Sequence, residues 1–386
     1  MKCSIAPAVA LLVLAVNVAP ADIFSPHEDY PIGALLLSLG AEDFDKDGLP
    51  DLAIPDYYNH SVVLLYGQPG GGFGGRRDFP AGTYPGMGGN PIADFNADGF
   101  PDILVTQDSG AAVRVLYNQN GTGFGGARDF SVGTYPYGID TADFNGDGRP
   151  DVATANCGSA YSTVLYGQAD GGLGGRQDYD LGANKLALVA ADFNGDSLPD
   201  FAVTFEREGV VRVLYNQGGD FGGQETYAVG LNPRAITAGD LNRDGLTDLV
   251  TSNRDGDNLS VLLALAGGGF ARSDLSVGSQ PIGIAAADFD ADGLLDLAVA
   301  NSHSDTVSLL LGDGQGGFGV PHDYPVGAHP LGLLAADLNS DGWLDLATAN
   351  WDGQSVSILY NTLPEPTTLA LVAIGAVALL RRWRRA

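Results

Sequence analysis

Asp43-Phe44-Asp45-Lys46-Asp47-Gly48-Leu49-Pro50-Asp51 is the stretch from which the architecture can be read, because its pattern, D-x-[DN]-x-D-G-x-x-D, returns five more times intact and once with Ser197 in place of the glycine. Positions 1, 3, 5 and 9 are Asp43, Asp45, Asp47 and Asp51, then Asp94, Asn96, Asp98 and Asp102, then Asp143, Asn145, Asp147 and Asp151. They continue as Asp192, Asn194, Asp196 and Asp200, as Asp240, Asn242, Asp244 and Asp248, as Asp288, Asp290, Asp292 and Asp296, and as Asp337, Asn339, Asp341 and Asp345. Successive clusters start 51, 49, 49, 48, 48 and 49 residues apart. A repeat of this length marks a propeller or a solenoid. Seven such units fill residues 22–363 and leave no room for a second domain.

Within a unit the order is constant. In the sixth, Ile282–Asp288 reads as a short apolar strand entering the Asp loop, Leu295–Asn301 as a second strand and Thr306–Leu311 as a third. A Gly-rich turn, Gly312–Gly319, leads to a fourth at His322–Gly327. Four short strands with glycine turns make a propeller blade. The seventh unit stops after its third strand, Ser355–Tyr360, while His27–Gly33 at the other end of the chain matches the fourth-strand segments Arg128–Gly133 and His322–Gly327. The expected fold is therefore all-β: a seven-bladed β-propeller of four-stranded blades, closed by an N-terminal strand that completes the last blade and leaves no open edge.

Oxygens at positions 1, 3 and 5 of a tight loop can converge on one hard cation, with position 9 and a backbone carbonyl near position 7 completing the shell. Hard donors without Cys or His favour Ca²⁺ over zinc or copper, and the irregular shell suits Ca²⁺ better than Mg²⁺. Up to seven structural calcium ions are expected. An EF-hand is excluded, because Ile54 stands where its Glu would be and strands flank the loop. In the fourth loop Ser197 replaces the glycine at position 6, which makes that site the weakest of the seven.

Composition narrows the partners. The chain has 386 residues, 45% of them hydrophobic, with 19 Lys+Arg against 47 Asp+Glu and a net charge of −28. Such a surface repels phosphate backbones, so no nucleic-acid partner is expected. The 56 glycines show no collagen-like period and fit tight turns, and two cysteines carry no disulfide framework.

Residues 1–21 read as a secretory signal peptide: Lys2, an apolar run from Ile5 to Val18, and Ala19-Pro20-Ala21 at the cleavage site. Its removal leaves Cys157 as the sole thiol. Residues 364–386 hold Pro364-Glu365-Pro366, an apolar run from Thr367 to Leu380, and Arg381, Arg382, Arg384 and Arg385. This segment resembles the PEP-CTERM sorting signal. The resemblance implies a transient membrane anchor, cut by an exosortase-type enzyme during export in a Gram-negative-type bacterium; the alternative is a permanent C-terminal anchor.

The Asp loops, with Phe124-Gly125 or Phe318-Gly319 before the fourth strand, resemble the FG-GAP/VCBS repeat family. That resemblance implies a seven-bladed propeller like that of integrin alpha subunits, whose loops bind structural calcium. The FG segments are uneven, with Leu173-Gly174 in one unit and Phe270-Ala271 in another.

Calcium is expected on one face only. The opposite face carries Tyr57, Tyr58, His60, Tyr161, Glu206, Arg207, Arg254, His303, Trp351 and Asp352, with Tyr84, Tyr135, Tyr137, Arg234 and His329 between blades. Aromatics with polar neighbours on a rigid ring suit a carbohydrate or protein ligand. The expected function is an exported, non-enzymatic adhesion or matrix-binding module at the cell surface or beyond. The alternative is a propeller-based polysaccharide lyase or hydrolase, using His60, His303 or His329 with Asp305 or Asp352, although no spacing in the sequence brings these together.

Overall fold

The computed structural model describes residues 23–363 except 34, 35, 87, 89 and 90. The signal-peptide and sorting-signal readings lie outside the described residues. Seven antiparallel sheets follow one another along the chain, and the innermost strand of each faces a common axis. The third blade shows the plan: Pro136–Ala142 innermost, then Asp151–Asn156, Tyr161–Gly167 and Leu173–Asp180 at the rim.

Burial follows from this stacking. The second strand of every blade, such as Asp151–Asn156 or Asp296–Asn301, is buried at all six residues. Neighbouring blades cover both faces of these strands, so their middles run small and mostly apolar (VATA, LAVA, LATA) instead of alternating, with the buried Thr154 and Thr348 hydroxyls donating to Asn156 and Asn350. The rim strands are mostly exposed, as in Phe124–Ser131.

The rim also explains the uneven FG segments. In Phe-Gly-Gly the second glycine, Gly75, Gly126 or Gly223, and likewise Gly175 after Leu173-Gly174, has φ between 58° and 63°. It marks a β-bulge where the register to the third strand slips. The fifth blade has Phe270-Ala271-Arg272 there, and its register runs unbroken from Asn258↔Ser276 to Ala264↔Phe270. The missing glycine removes the bulge and leaves the blade.

The second blade departs differently. Its innermost strand is split into Pro85–Gly86 and Ile92–Ala93, both paired with Asp102–Gln107. This is the unit whose loops lie 51 residues apart. The extra residues fall between the two pieces.

The seventh sheet takes its outermost strand from the N-terminal end: Glu28–Pro31 pairs antiparallel with Ser355–Leu359, Tyr30 opposite Val356. Phe24 packs edge-on against Phe289 and Tyr324 of the sixth blade, at 5.8 and 5.3 Å between ring centres. On the inner side Gly332 of the seventh blade lies against Leu37 and Ser38, so first and last blades meet. A hydrogen-bond relay, buried at its Asn and Ser/Thr members and reaching the surface at its Asp, crosses the strands of a blade as well. Asn156 donates to Thr163, which donates to Asp178; Asn350 donates to Ser357, which donates to Asp29. Asp29 of the N-terminal strand thus does in blade seven what Asp178 does in blade three.

Candidate metal centres and a central funnel

Each Asp loop is held by the same hydrogen bonds. In the first, Asp43 accepts from the backbone N–H of Asp47 at 3.1 Å and of Gly48 at 3.0 Å, Asp45 from Asp47 at 3.2 Å, and Asp47 from Leu49 at 2.9 Å. The set recurs at Asp94, Asn96 and Asp98, at Asp143, Asn145 and Asp147, and at Asp192, Asn194 and Asp196. It recurs again at Asp240, Asn242 and Asp244, at Asp288, Asp290 and Asp292, and at Asp337, Asn339 and Asp341. Two residues per loop are left-handed. Position 6 lies at φ 82–91° where it is glycine, and Ser197 takes it at φ 70°. Position 4 is left-handed too, at Lys46, Ala97, Arg243, Ala291 and Ser340, with φ near 60°.

Position 9 is different in kind. Asp51 is buried and accepts from Phe44 N–H with one oxygen (3.0 Å) and from Gly67 N–H, 16 residues on, with the other (2.9 Å). Asp102, Asp151, Asp200, Asp248, Asp296 and Asp345 make the same pair of bonds, tying the loop to the end of the third strand. Burial pushes these carboxyls up, against the backbone N–H groups that favour ionisation. Asp51, Asp151 and Asp200 rise to about 6, Asp102, Asp296 and Asp345 to about 7, and Asp248 moves the same way.

In the first and sixth loops, carboxylate oxygens of positions 1, 3 and 9 lie within 4.8 Å of one another: Asp43, Asp45 and Asp51, and Asp288, Asp290 and Asp296. Asp45 and Asp290 are raised by burial and then by neighbouring carboxylates. That crowding is what a bound cation would relieve. The other five loops carry the amide oxygen of Asn at position 3, which takes the same place in the hydrogen-bond set. In the third, Arg149 donates to Asp147 at 2.9 Å and competes for an oxygen a metal would use.

The loops are also joints between blades. Asn118 of blade two donates to the carbonyl of Phe44 in the first loop at 2.8 Å; Asn216 and Asn361 do the same for Phe144 and Phe289. Ordering a loop therefore stiffens its contact with the next blade.

On the opposite face the axis opens into a funnel of about 780 Å³, lined from all seven blades. Of the residues named from sequence, the funnel gathers Tyr57, Tyr58, Tyr84, Tyr137, Arg234, Arg254, His329 and Trp351. It leaves out His60, Tyr135, Glu206, Arg207, His303 and Asp352, and also Tyr161, whose ring on the third strand lies under the Arg176 guanidinium. Asp108 also lines it and accepts from the Tyr57 hydroxyl at 2.5 Å. Sequence reasoning missed Asp108, yet a signal existed. The residue 14 positions after each loop's first Asp is Tyr57, Asp108, Cys157, Glu206, Arg254, Ser302 and Trp351 in turn, seven different side chains at one structural position. Beside them the residues that open the innermost strands, Tyr84, Tyr135, Asn184, Asn232, Gln280 and His329, are all left-handed, with φ from 51° to 64°. Of the catalytic candidates, His329 meets Asp352 at 3.3 Å and its backbone N–H donates to Asp305 at 2.8 Å. His60 instead accepts from the backbone of Tyr84 at 3.1 Å.

Together the seven sheets and the repeated acidic loops define a propeller built from loop-bearing repeats. The chain belongs to the FG-GAP-like repeat family, whose model matches residues 43–105, 94–154, 192–251, 240–299 and 288–348. Residues 362–385 match the PEP-CTERM protein-sorting motif, which marks an exported protein. Among curated proteins nothing matches the chain. Among solved structures it is similar to BBS1N in complex with ARL6DN (12% identity, 89% of this chain and 98% of that one, TM-score 0.62). It is also similar to Kuenenia stuttgartiensis hydrazine synthase (15%, 87% and 97%, 0.60). A third is the Pseudomonas aeruginosa periplasmic gluconolactonase PpgL (17%, 75% and 85%, 0.56). At these identities the likeness is one of fold.

Proposed function

We propose that this is an exported, calcium-stabilised propeller that serves as a non-enzymatic binding module at the cell surface or in the extracellular matrix. Its carbohydrate or protein ligand seats in the central funnel. One observation carries the reading: loops that are nearly uniform on one face, against seven different side chains at one repeated position on the other. The uniform face is explained by a shared structural task, holding Ca²⁺ through positions 1, 3, 5 and 9. The varied, strained and aromatic-rimmed face is where selection for a ligand would act. Calcium bound in the acidic loops would supply charge neutralisation to them; the Asn bridges would carry the resulting rigidity from blade to blade. Glycan and matrix-protein arrays probed with the calcium-loaded chain test this reading. Specific binding that Tyr84→Ala and Trp351→Ala abolish, with melting unchanged, is expected; binding indifferent to both overturns it.

A second reading, a polysaccharide-active enzyme, is favoured by the His329–Asp352 contact beside Trp351 at the same funnel. Two of the similar folds, hydrazine synthase and gluconolactonase, are enzymes by name. Polysaccharide turnover lost in His329→Ala would establish it; binding without turnover would exclude it. The C-terminal motif would then serve exosortase-type processing in either case.

A further inference from the structure

We infer that the funnel takes an acidic oligosaccharide, with the carboxylate of one uronate held by Arg234 and Arg254 while a neighbouring sugar ring lies on the tyrosine shelf of the first and second blades. The inference rests on the funnel being the ligand site. The carrying observation is how differently the arginines of this molecule are engaged. Two rim arginines, Arg77 and Arg128, lie exposed without a two-bond carboxylate clamp. Arg76, Arg176 and Arg272 at the rim, and Arg114 on the third strand of blade two, are each clamped by two bonds to an aspartate, the closest at 2.6–3.0 Å. The two funnel arginines are not. Arg234 has Glu206 at 3.5 Å, and Arg254 has Gln280 at 3.4 Å and Asp255 at 3.9 Å. Both are three-quarters to two-thirds shielded from solvent, with side-chain exposures of 25% and 33%. A partly desolvated guanidinium whose own carboxylate contact is long and single is a ready bidentate partner for one supplied from outside.

The pairing is legible in the fold. Arg234 follows Pro233 at the start of the innermost strand, Arg254 follows Asn253 at the end of the second, and Pro233 and Asn253 are directly paired. The two cations therefore belong to one edge of one blade. The shelf comes from elsewhere on the ring: Tyr57 and Tyr84 lie 4.9 Å apart between ring centres and tilted by 37°. Such rings offer flat apolar faces to a sugar and hydroxyls to its rim. Asp108, an acidic residue in the funnel lining, already accepts from Tyr57, as Glu206 already accepts from Arg234.

A chain of net charge −28 is an unexpected host for an anion. The acidic loops, however, lie on the far face. Exposed charges more than about 8 Å away are largely screened at physiological salt. Local guanidinium contacts in a shielded funnel then outweigh the distant field for a short oligosaccharide.

The test is calorimetric titration of the calcium-loaded chain with oligogalacturonate and with neutral cello-oligosaccharide of equal length. The acidic series is expected to bind at least tenfold tighter than the neutral one. Arg254→Gln and Arg234→Gln should each weaken it tenfold or more, Arg254→Lys should lie between, and the rim control Arg176→Gln should change nothing. Unchanged melting of each variant with calcium separates lost binding from lost fold. Equal binding of both series, or indifference to the arginine variants, overturns the uronate assignment while leaving the funnel as a ligand site. No binding of either series overturns it too, and the arrays then judge the funnel by themselves.

Discussion

Ser197 sits where the other six loops carry glycine, and it holds φ 70° without the freedom glycine has there. Ser197→Gly should therefore stabilise the calcium-loaded protein by about 0.5–1 kcal/mol in denaturant titration, and Gly99→Ala, at φ 88°, should destabilise it by more than about 1 kcal/mol. Asp345→Asn asks a different question. Both oxygens of that buried side chain accept backbone N–H groups, from Leu338 and Asn361, and an amide can satisfy only one. The expected loss is about 1–3 kcal/mol, measured with chelator present so that metal binding does not contribute. Positions 1, 3, 5, 6 and 9 were legible because their chemistry repeats. The left-handed residue at position 4 was not: Lys46, Ala97, Arg243, Ala291 and Ser340 share no property that a side chain could announce, and the hydrogen bonds to position 1 impose the conformation.

The N-terminal segment gives the seventh blade its outer strand and packs against the sixth. Phe24 is 5% exposed and wedged between aromatic rings of the sixth blade, while Asp29 ends the relay from Asn350. Phe24→Ala should cost about 3–5 kcal/mol, and Asp29→Ala about 1–3 kcal/mol, both read from thermal or denaturant unfolding. A surface strand of no consequence to the ring would give under about 0.5 kcal/mol for each. The offset between His27–Gly33 and the missing fourth strand made this arrangement readable from sequence. The split strand of blade two was signalled only by the 51-residue interval, which locates extra residues without saying that pairing breaks around them. The funnel was half legible. Its aromatics and arginines stood out, but Asp108 follows an ordinary strand end, and only counting 14 residues from each loop places it beside them.

For the whole molecule, charge links stability to pH and, through the calcium binding proposed above, to Ca²⁺. Seven buried position-9 carboxyls are raised, six of them to about 6 or 7, whereas in the unfolded chain they ionise near 3.8. Between these values the folded, metal-free protein holds more protons than the unfolded one, so its stability falls as pH rises from about 4 to 7. With calcium the sign reverses, because ions need ionised carboxylates and protons compete for them at the acid end. The pH profiles with chelator and with calcium should therefore slope in opposite directions. The most direct measurement is thermal unfolding near neutral pH with excess Ca²⁺ and with chelator, joined to elemental analysis of the bound metal. A large calcium-dependent rise in Tm with five to seven ions per chain is expected. An unchanged Tm and no bound metal would contradict the account, leaving the seven clusters as acidic turns held by their own backbone hydrogen bonds.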